Sequence, residues 1–550
     1  MTLRTILRQP ASAAEQLDKH PLCLVGFTTI IYLGIVSILA SEKLFWNDEL
    51  YTFYISRLHR LSDVWQALLT GVEQLPPLFF IITRGSTALF GSSGFAFRLP
   101  QILGFWLMSV SLFCFVRRRS SAAYGLVAML FPLITMTFYY AYEARPYGLV
   151  LGFCGLALYC WQAATEGRLR VLSVTGLGLS LVGALSCHYY AILAFVPLIL
   201  GEALRTVRSG RLDFGIWIAF GVGLIPLAIF LPLIRASAGY SHNFWGKPNW
   251  ADVISFYIKM LAPGVPFVKR GLVVVIILIG IYSFARSSTH GGTTRPANSI
   301  PIHETAAVVG FALFPLGAMI LAKTITNAFV DRYALPAVIG ISAIFAWTLF
   351  RWMDRRPGLG LAVAAIILAT FVAKGLWLQR SLAVSVNEQA ATYQFLRSND
   401  EARIPVVIQD PHLFFALSHY AVDKGGSRLI YLSNVALALK YTGTDTVERG
   451  LLELRKWAPL DIEDYRRFCA SHSEFLIYSY PGGPFAWRVW LIPELKRQGW
   501  RLVIKAKNGN QFLFLVTSEN AQSDKSNRDL GSLDRPGTAS DDGRAPLKTD

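Results

Sequence analysis

The sequence predicts a polytopic α-helical membrane protein of about 11 transmembrane helices, followed by a C-terminal soluble α/β domain. Three observations predict it. Hydrophobic residues make up 53% of the 550 positions and charged residues only 16%, with a mean hydropathy of +0.42, whereas a soluble domain carries roughly a quarter charged residues. Apolar runs long enough to cross a bilayer core recur from residue 21 to residue 377. From residue 385 the pattern changes to short apolar strands, turns and amphipathic helices.

Taken in order, the expected spans are 21–40, 99–116, 121–138, 146–164, 171–187, 188–204, 213–234, 271–285, 305–322, 333–350 and 359–377. The first exceeds the apolar core of a cleaved signal peptide and reads as a retained anchor. The run PPLFFIITRGSTALF, residues 76–90, is short, contains Arg84 and opens on two prolines; it reads as an interfacial or re-entrant helix. The parity of this assignment puts Arg117-Arg118-Arg119, Arg168 and Arg170, Arg205, Arg208 and Arg211, Arg286 and Arg295, and Arg351, Arg355 and Arg356 on the side of the N-terminus. Dense Lys and Arg mark the cytoplasmic face. The chain is therefore expected in the cell inner membrane as a multi-pass protein with its C-terminal domain outside, periplasmic in a Gram-negative cell. The same parity requires a break at His188-Tyr189-Tyr190, inside an otherwise continuous apolar stretch.

Four regions follow: residues 1–20, cytoplasmic; 21–384, transmembrane, with a first outer loop at 41–98; 385–517, the extracytoplasmic α/β domain; and 518–550, a polar tail expected to be disordered. In the α/β part PVVIQD, RLIYLS, EFLIYS, RLVIKAK and QFLFLV read as strands and DIEDYRRFCASH as a helix. No GxGxxG or P-loop pattern is present, so no nucleotide site is assigned. The formal charge of +17 lies largely in short loops between spans, which argues against nucleic acid. The six cysteines form no CxxC and no zinc spacing.

The unusual polar residues collect on the outer side. They are Asp48 and Glu49 in FWNDELYTFY, Glu73 before Pro76-Pro77, Glu143 and Arg145 in YEARPYGL, His188 to Tyr190 in SCHYYA, and Lys323, Asp331, Arg332 and Tyr333 in AKTITNAFVDRYALP. Each has a bland reading. Adjacent acids suit a helix N-terminus, arginines anchor at interfaces, a lone histidine is commonly a satisfied turn residue, and the tyrosines at 139, 140, 142 and 147 form an aromatic belt. Their convergence on one side favours a site, because ionisable groups beside a bilayer are costly.

NDELYT after the first span, E-x-x-P-P-L before the interfacial run, RLP opening the second span, then EARPYGL, HYYAIL and DRYALP occur in that order. Together they resemble the GT-C fold polyprenyl-phosphate-sugar glycosyltransferases of the family 39/83 kind, the bacterial relatives of protein O-mannosyltransferases and lipid A aminoarabinose transferases. The resemblance covers about residues 20–350. It implies an enzyme that takes a sugar from a polyprenyl-phosphate carrier, within membrane lipid, and passes it to a glycan, lipid or protein acceptor. Asp48, with Glu49 beside it, is implied as the acid acting on the acceptor, and Glu73 as an acid that shapes the site. Asp48 and Glu73 are the pair a divalent metal would use, but Gln74-Leu75 replaces the His or Lys that many relatives carry before the prolines, which puts metal binding in doubt.

Chemistry accounts for a base here. An acceptor hydroxyl must lose its proton as it attacks the anomeric carbon, and a positioned carboxylate supplies roughly 10²- to 10⁴-fold. Arg332 and Arg145 are the candidates for contacting the leaving phosphate; His188, Tyr189 and Tyr333 for phosphate or sugar; Glu49 and Glu73 for orienting acceptor or sugar. Two readings compete: a transporter or flippase of lipid-linked glycans, and a non-catalytic membrane scaffold. Flippases carry repeats and charges deep in the spans, and neither stands out in this sequence.

Overall fold

The computed structural model describes residues 15–16, 18–261, 300–399, 404–421, 428–481 and 489–518. The expected span 271–285, nearly all of the tail 518–550 and most of the N-terminal 1–20 lie outside the described residues. The chain divides into two compact units, residues 1–393 with 443–459, and 394–442 with 460–550.

The first unit is helical. Among the described residues six helices are long and apolar enough to cross a membrane, or eight if each of two bent pairs is one span. This is fewer than the eleven expected, and the local causes are visible. The run expected as a span at 121–138 is a helix only over Ala122–Ile134; Pro132 sits in its last turn, and the Thr135 hydroxyl turns back to the Pro132 carbonyl at 2.8 Å. Thirteen residues rise about 20 Å, short of the hydrocarbon core. The chain then continues as a 3₁₀ turn, Met136–Ala141. The buried ammonium of Lys374 takes up the freed helix end, donating to the carbonyls of Leu133 at 3.2 Å and Thr135 at 2.7 Å. Runs 213–234 and 305–322 are bent by 57° and 55°, each where a proline (Pro232, Pro315) opens the following helix and cannot donate to the preceding turn. Helix Ala337–Trp352 has 16 residues. Leu78–Phe90 is a separate 13-residue helix.

The expected break is present. Helix Arg170–Cys187 ends, His188 takes an extended backbone, and Tyr189–Ala194 forms a 3₁₀ turn before helix Phe195–Ser209. By contrast, the expected boundary at 384/385 falls inside one continuous helix, Pro357–Ser398.

Charge pairs gather at one end of the bundle. Arg118 and Arg119 bind Glu166 at 3.2 and 2.8 Å, Arg119 also pairs with Glu304, and Arg205 pairs with Glu202 at 2.6 Å. Helix Tyr147–Thr165, whose 19 residues span about 28 Å, runs from this cluster to Tyr147. Arg118, Arg119 and Arg205, expected at the N-terminal side, thus pair at the far end of their helices from Tyr147 and His188.

The two most intimate spans, Gly94–Arg117 and Tyr147–Thr165, approach through glycine. A Cβ on Gly152 would stand 2.4 Å from the Gly104 carbonyl oxygen, and one on Gly148 2.6 Å from that of Gln101. Small residues let membrane helices pack backbone to backbone.

Among the described residues the second unit is a six-stranded mixed sheet with flanking helices. Its strands are β1 Val406–Ile408, β2 Leu429–Ser433, β3 Ile462–Asp464, β4 Glu474–Ser479, β5 Arg501–Asn508 and β6 Gln511–Thr517, in the order β3-β2-β1-β4-β6-β5. The first four are parallel and the β5–β6 hairpin joins β4 antiparallel. β1 is buried throughout, as a central parallel strand must be, whereas β5 is a mostly exposed edge carrying Lys505 and Lys507. Five strands match the sequence reading. β3 instead comes from the start of DIEDYRRFCASH, of which only Tyr465–Ser471 is helical.

Replacing Gly152 by valine is expected to separate the two glycine-packed spans and cost about 1–3 kcal/mol or more. Gly34, with nothing within 4 Å of its Cβ position, is the control. Thermal unfolding in detergent should show Gly152→Val well below wild type and Gly34→Val close to it.

Candidate functional site

Residues 47–56 form a helix whose first turn contains both acids of the NDE run. Neighbouring helical residues point about 100° apart, so Asp48 and Glu49 cannot share a direction. They face different partners.

Glu49 points inward and is fully buried. Its carboxylate accepts from Arg98 Nε at 2.7 Å and a terminal nitrogen of Arg98 at 2.8 Å, from the Ala144 backbone N–H at 2.6 Å, and from Lys43 Nζ at 3.1 Å. Burial alone would raise its pKa; Arg98 and then Lys43 overcome that and hold it at about 2. Arg98 also donates to the carbonyls of Ala40 and Lys43, each at 2.7 Å, and of Leu44 at 3.2 Å. It thereby satisfies carbonyls at and just beyond the C-terminus of helix Pro21–Glu42, which have no partner within that helix.

Asp48 points the other way. Its carboxylate lies 2.8 Å from a terminal nitrogen of Arg332, which the 3₁₀ turn Asp331–Ala334 presents. Arg145 donates to the Asp48 backbone carbonyl at 3.1 Å and grips both oxygens of Glu73, at 3.0 and 3.1 Å. The three residues of the EAR run each hold the segment carrying Asp48: Glu143 accepts from the Trp46 indole N–H at 2.5 Å, Ala144 binds Glu49, and Arg145 binds Asp48.

Next to this charge pair is a pocket. Tyr147, His188, Tyr190, Arg332 and Tyr333 form its polar lining, and Val150, Leu151, Ala191, Phe314 and Leu335 are among its apolar residues. The ring of His188 lies 5.0 Å from that of Tyr333 and 5.5 Å from that of Tyr147, tilted by 55° and 46°. Its Nδ1 accepts the Tyr190 backbone N–H at 3.1 Å, which in a neutral ring leaves the proton on Nε2. Two buried donors, the Nε atoms of Arg332 and Arg145, have no hydrogen-bond partner among the described residues. A buried N–H without a partner is costly, and an anionic oxygen would satisfy it.

The structure thus brings Asp48, Glu73, Arg145, His188, Arg332 and Tyr333 into one cluster. Glu49 belongs to the same helix but faces away, into the ion pairs with Arg98 and Lys43. Tyr189 does not line the pocket; its neighbour Tyr190 does, because the 3₁₀ turn carries residue i+2 from His188 to that side. Asp48 and Glu73 are engaged with Arg332 and Arg145, and among the described residues no three His, Cys, Asp or Glu side chains are grouped to hold a metal ion. As placed, these acids do not fit a divalent-metal site.

Sequence reasoning missed Arg98 and left Glu143 without a role. The signal for Arg98 was available: an arginine opening a span needs a buried acid, and Glu49 stands just beyond the preceding span. Glu143 is buried, with one oxygen on Trp46 and the other without a hydrogen-bond partner among the described residues. Burial pushes its carboxyl up to about 7, with Glu49 and Asp48 adding to the rise and Lys43 and Arg332 opposing it.

Residues 74–235 match the profile of the family described as dolichyl-phosphate-mannose-protein mannosyltransferase. No curated protein matches the sequence. The fold is similar to that of ArnT from Cupriavidus metallidurans in the apo state, with a TM-score of 0.54 at 13% identity over 89% of this chain and 97% of that one. The same protein bound to undecaprenyl phosphate gives a TM-score of 0.50, again at 13% identity and the same coverage. The chain therefore has the fold of the GT-C glycosyltransferases, as the order of its short motifs implied.

Removing the Glu49 charge leaves Arg98 and Lys43 buried without compensation, so Glu49→Gln should cost about 3–5 kcal/mol. Asp48→Asn, at a partly exposed pair, should cost about 1–2 kcal/mol; chemical denaturation of the purified variants compares them. Glu143 makes a pH prediction. Its folded pKa of about 7 lies above the ordinary 4.5, so its contribution to stability is present below the lower value and lost as pH rises through the higher one. Glu143→Gln should therefore melt above wild type at about pH 8, by roughly 3 kcal/mol in stability, and the difference should vanish near about pH 4.

Proposed function

We propose that this GT-C chain is a membrane glycosyltransferase that moves a sugar from a polyprenyl-phosphate carrier to an acceptor hydroxyl on the outer face of the cytoplasmic membrane. The observation that carries the reading is the Asp48–Arg332 pair, 2.8 Å apart, beside a pocket lined by both polar and apolar side chains. A lipid phosphate calls for both kinds of contact. The family profile matched by residues 74–235 describes transfer from a polyprenyl-type phosphate sugar, and ArnT binds undecaprenyl phosphate. Both support the choice of donor.

In this reading the phosphate competes with Asp48 for Arg332. The unpartnered Nε donors of Arg332 and Arg145 take phosphate oxygens in charge-assisted bonds, and Asp48 is left with a carboxylate turned toward the acceptor. The acceptor oxygen attacks the anomeric carbon as its proton passes to Asp48. The bond from that carbon to the phosphate oxygen breaks on the opposite face, inverting the centre. The negative charge that grows on the departing lipid phosphate falls beside two guanidiniums already in place, so little reorganisation is needed. His188 Nε2–H and the Tyr333 hydroxyl serve as neutral donors to phosphate or sugar. Glu73 holds Arg145, and Glu49 holds the helix that carries Asp48.

The test uses membrane vesicles whose own polyprenyl-phosphate sugars are metabolically labelled. Asp48→Asn should lower label transfer to acceptor by about 10²- to 10⁴-fold while binding of undecaprenyl phosphate to the purified protein persists. Arg332→Gln should weaken that binding. Transfer by Asp48→Asn near the wild-type rate would overturn the assignment of the base.

A further inference from the structure

Helix Thr446–Leu454 lies between β2 and β3 in the chain, yet it packs as part of the helical unit. Its N-terminal end is tied to the turn after helix Leu231–Ala238. The Thr444 hydroxyl donates to the Asn243 carbonyl at 2.7 Å, the Asn243 side-chain amide donates to Asp445 at 3.2 Å, and Arg449 donates to the Gly239 carbonyl at 3.0 Å. The Arg449 guanidinium also covers the Tyr240 ring at 4.3 Å. Tyr240 in turn donates to the Thr70 carbonyl at 3.3 Å and sets its ring edge against Gly71, where a Cβ would come within 2.3 Å of the ring. Gly71, at φ +77°, is two residues before Glu73.

The helix also bears on the segment that carries Asp48. Gly450 faces the Tyr51 hydroxyl so closely that a Cβ there would stand 2.8 Å from the Tyr51 oxygen; the next Tyr51 atom, Cζ, is at 3.5 Å. Glu448 is buried in the same helix. Tyr51 is 6% exposed and lies three residues after Asp48, on the same side of its helix. Burial first, then the charges of Glu73, Asp48 and Glu448, raise the pKa of this hydroxyl well above its ordinary value, so it stays protonated among the carboxylates.

We propose that helix Thr446–Leu454 is a positioning element of the transfer site. Through Gly450 it fixes Tyr51 and with it the turn that carries Asp48, and through Arg449, Tyr240 and Gly71 it fixes the approach to Glu73. A stretch of the C-terminal third therefore sets the geometry of the base. The inference rests on the reading of Asp48 as base.

The geometry prescribes its own test. Gly450→Ala places a methyl against the Tyr51 oxygen, whereas Tyr51→Phe removes that oxygen and leaves the methyl an ordinary van der Waals contact. In the labelled-vesicle assay Gly450→Ala should lower the rate of transfer at saturating donor at least tenfold. Undecaprenyl phosphate binding and melting temperature should stay close to wild type. Tyr51→Phe should lose about threefold, and the double variant should return to the Tyr51→Phe rate. A wild-type rate for Gly450→Ala would overturn the proposal. So would a double variant no faster than Gly450→Ala, or a Gly450→Ala loss that follows reduced melting temperature and donor binding together. Asp48→Asn run in parallel separates the two ideas. Its retention of activity would refute the base and leave the rescue of Gly450→Ala by Tyr51→Phe to judge the contact.

Discussion

The helical unit depends on a carboxylate placed where it cannot be solvated. Glu49 is buried beside Arg98 and Lys43, and an ion cluster out of water gains only if nearly every lone pair and proton finds a partner. Here both carboxylate oxygens are engaged, and five donor contacts of Arg98 reach Glu49 and three backbone carbonyls. The arrangement leaves no freedom in how the first span ends, how the next long span begins, or how the helix between them is turned. That rigidity frees the neighbouring Asp48 for a different task.

The adjacency of the two acids follows from helical geometry. At about 100° per residue, consecutive side chains diverge, so one acid can anchor the helix in the protein while the other faces the pocket. The EAR run repeats the device with the opposite sign, its backbone N–H serving Glu49 and its guanidinium serving Asp48 and Glu73. Two distant stretches of chain hold Asp48, Arg145 at its backbone carbonyl and Arg332 at its carboxylate, and neither is local in sequence. Catalytic groups gain from such support because it removes the cost of reorganisation during the reaction.

The opposite end of the bundle uses charge differently. Arginines 118, 119 and 205 are neutralised by Glu166, Glu304 and Glu202, which ties helix ends together across more than 180 residues of sequence. At that end these three guanidiniums are matched by carboxylates. The other holds guanidiniums with unmet donors, and this asymmetry distinguishes a structural cluster from a site.

Much of the plan was legible in the sequence. The long apolar runs, the break at His188 and five of the six described strands of the C-terminal unit follow from composition and period, which are local properties, and the convergence of Asp48, Glu73, Arg145, His188, Arg332 and Tyr333 was expected from the placement of their runs between spans. The straightness of the spans was less legible, because a proline's effect depends on whether neighbouring helices support the bend at Phe230 or Leu313. The pairing of Glu49 with Arg98, the choice of Tyr190 over Tyr189 and the contact of Gly450 with Tyr51 were decided only by the tertiary structure. Each depends on the direction of a side chain relative to a distant backbone, and sequence spacing carries no information about that direction until the chain has packed.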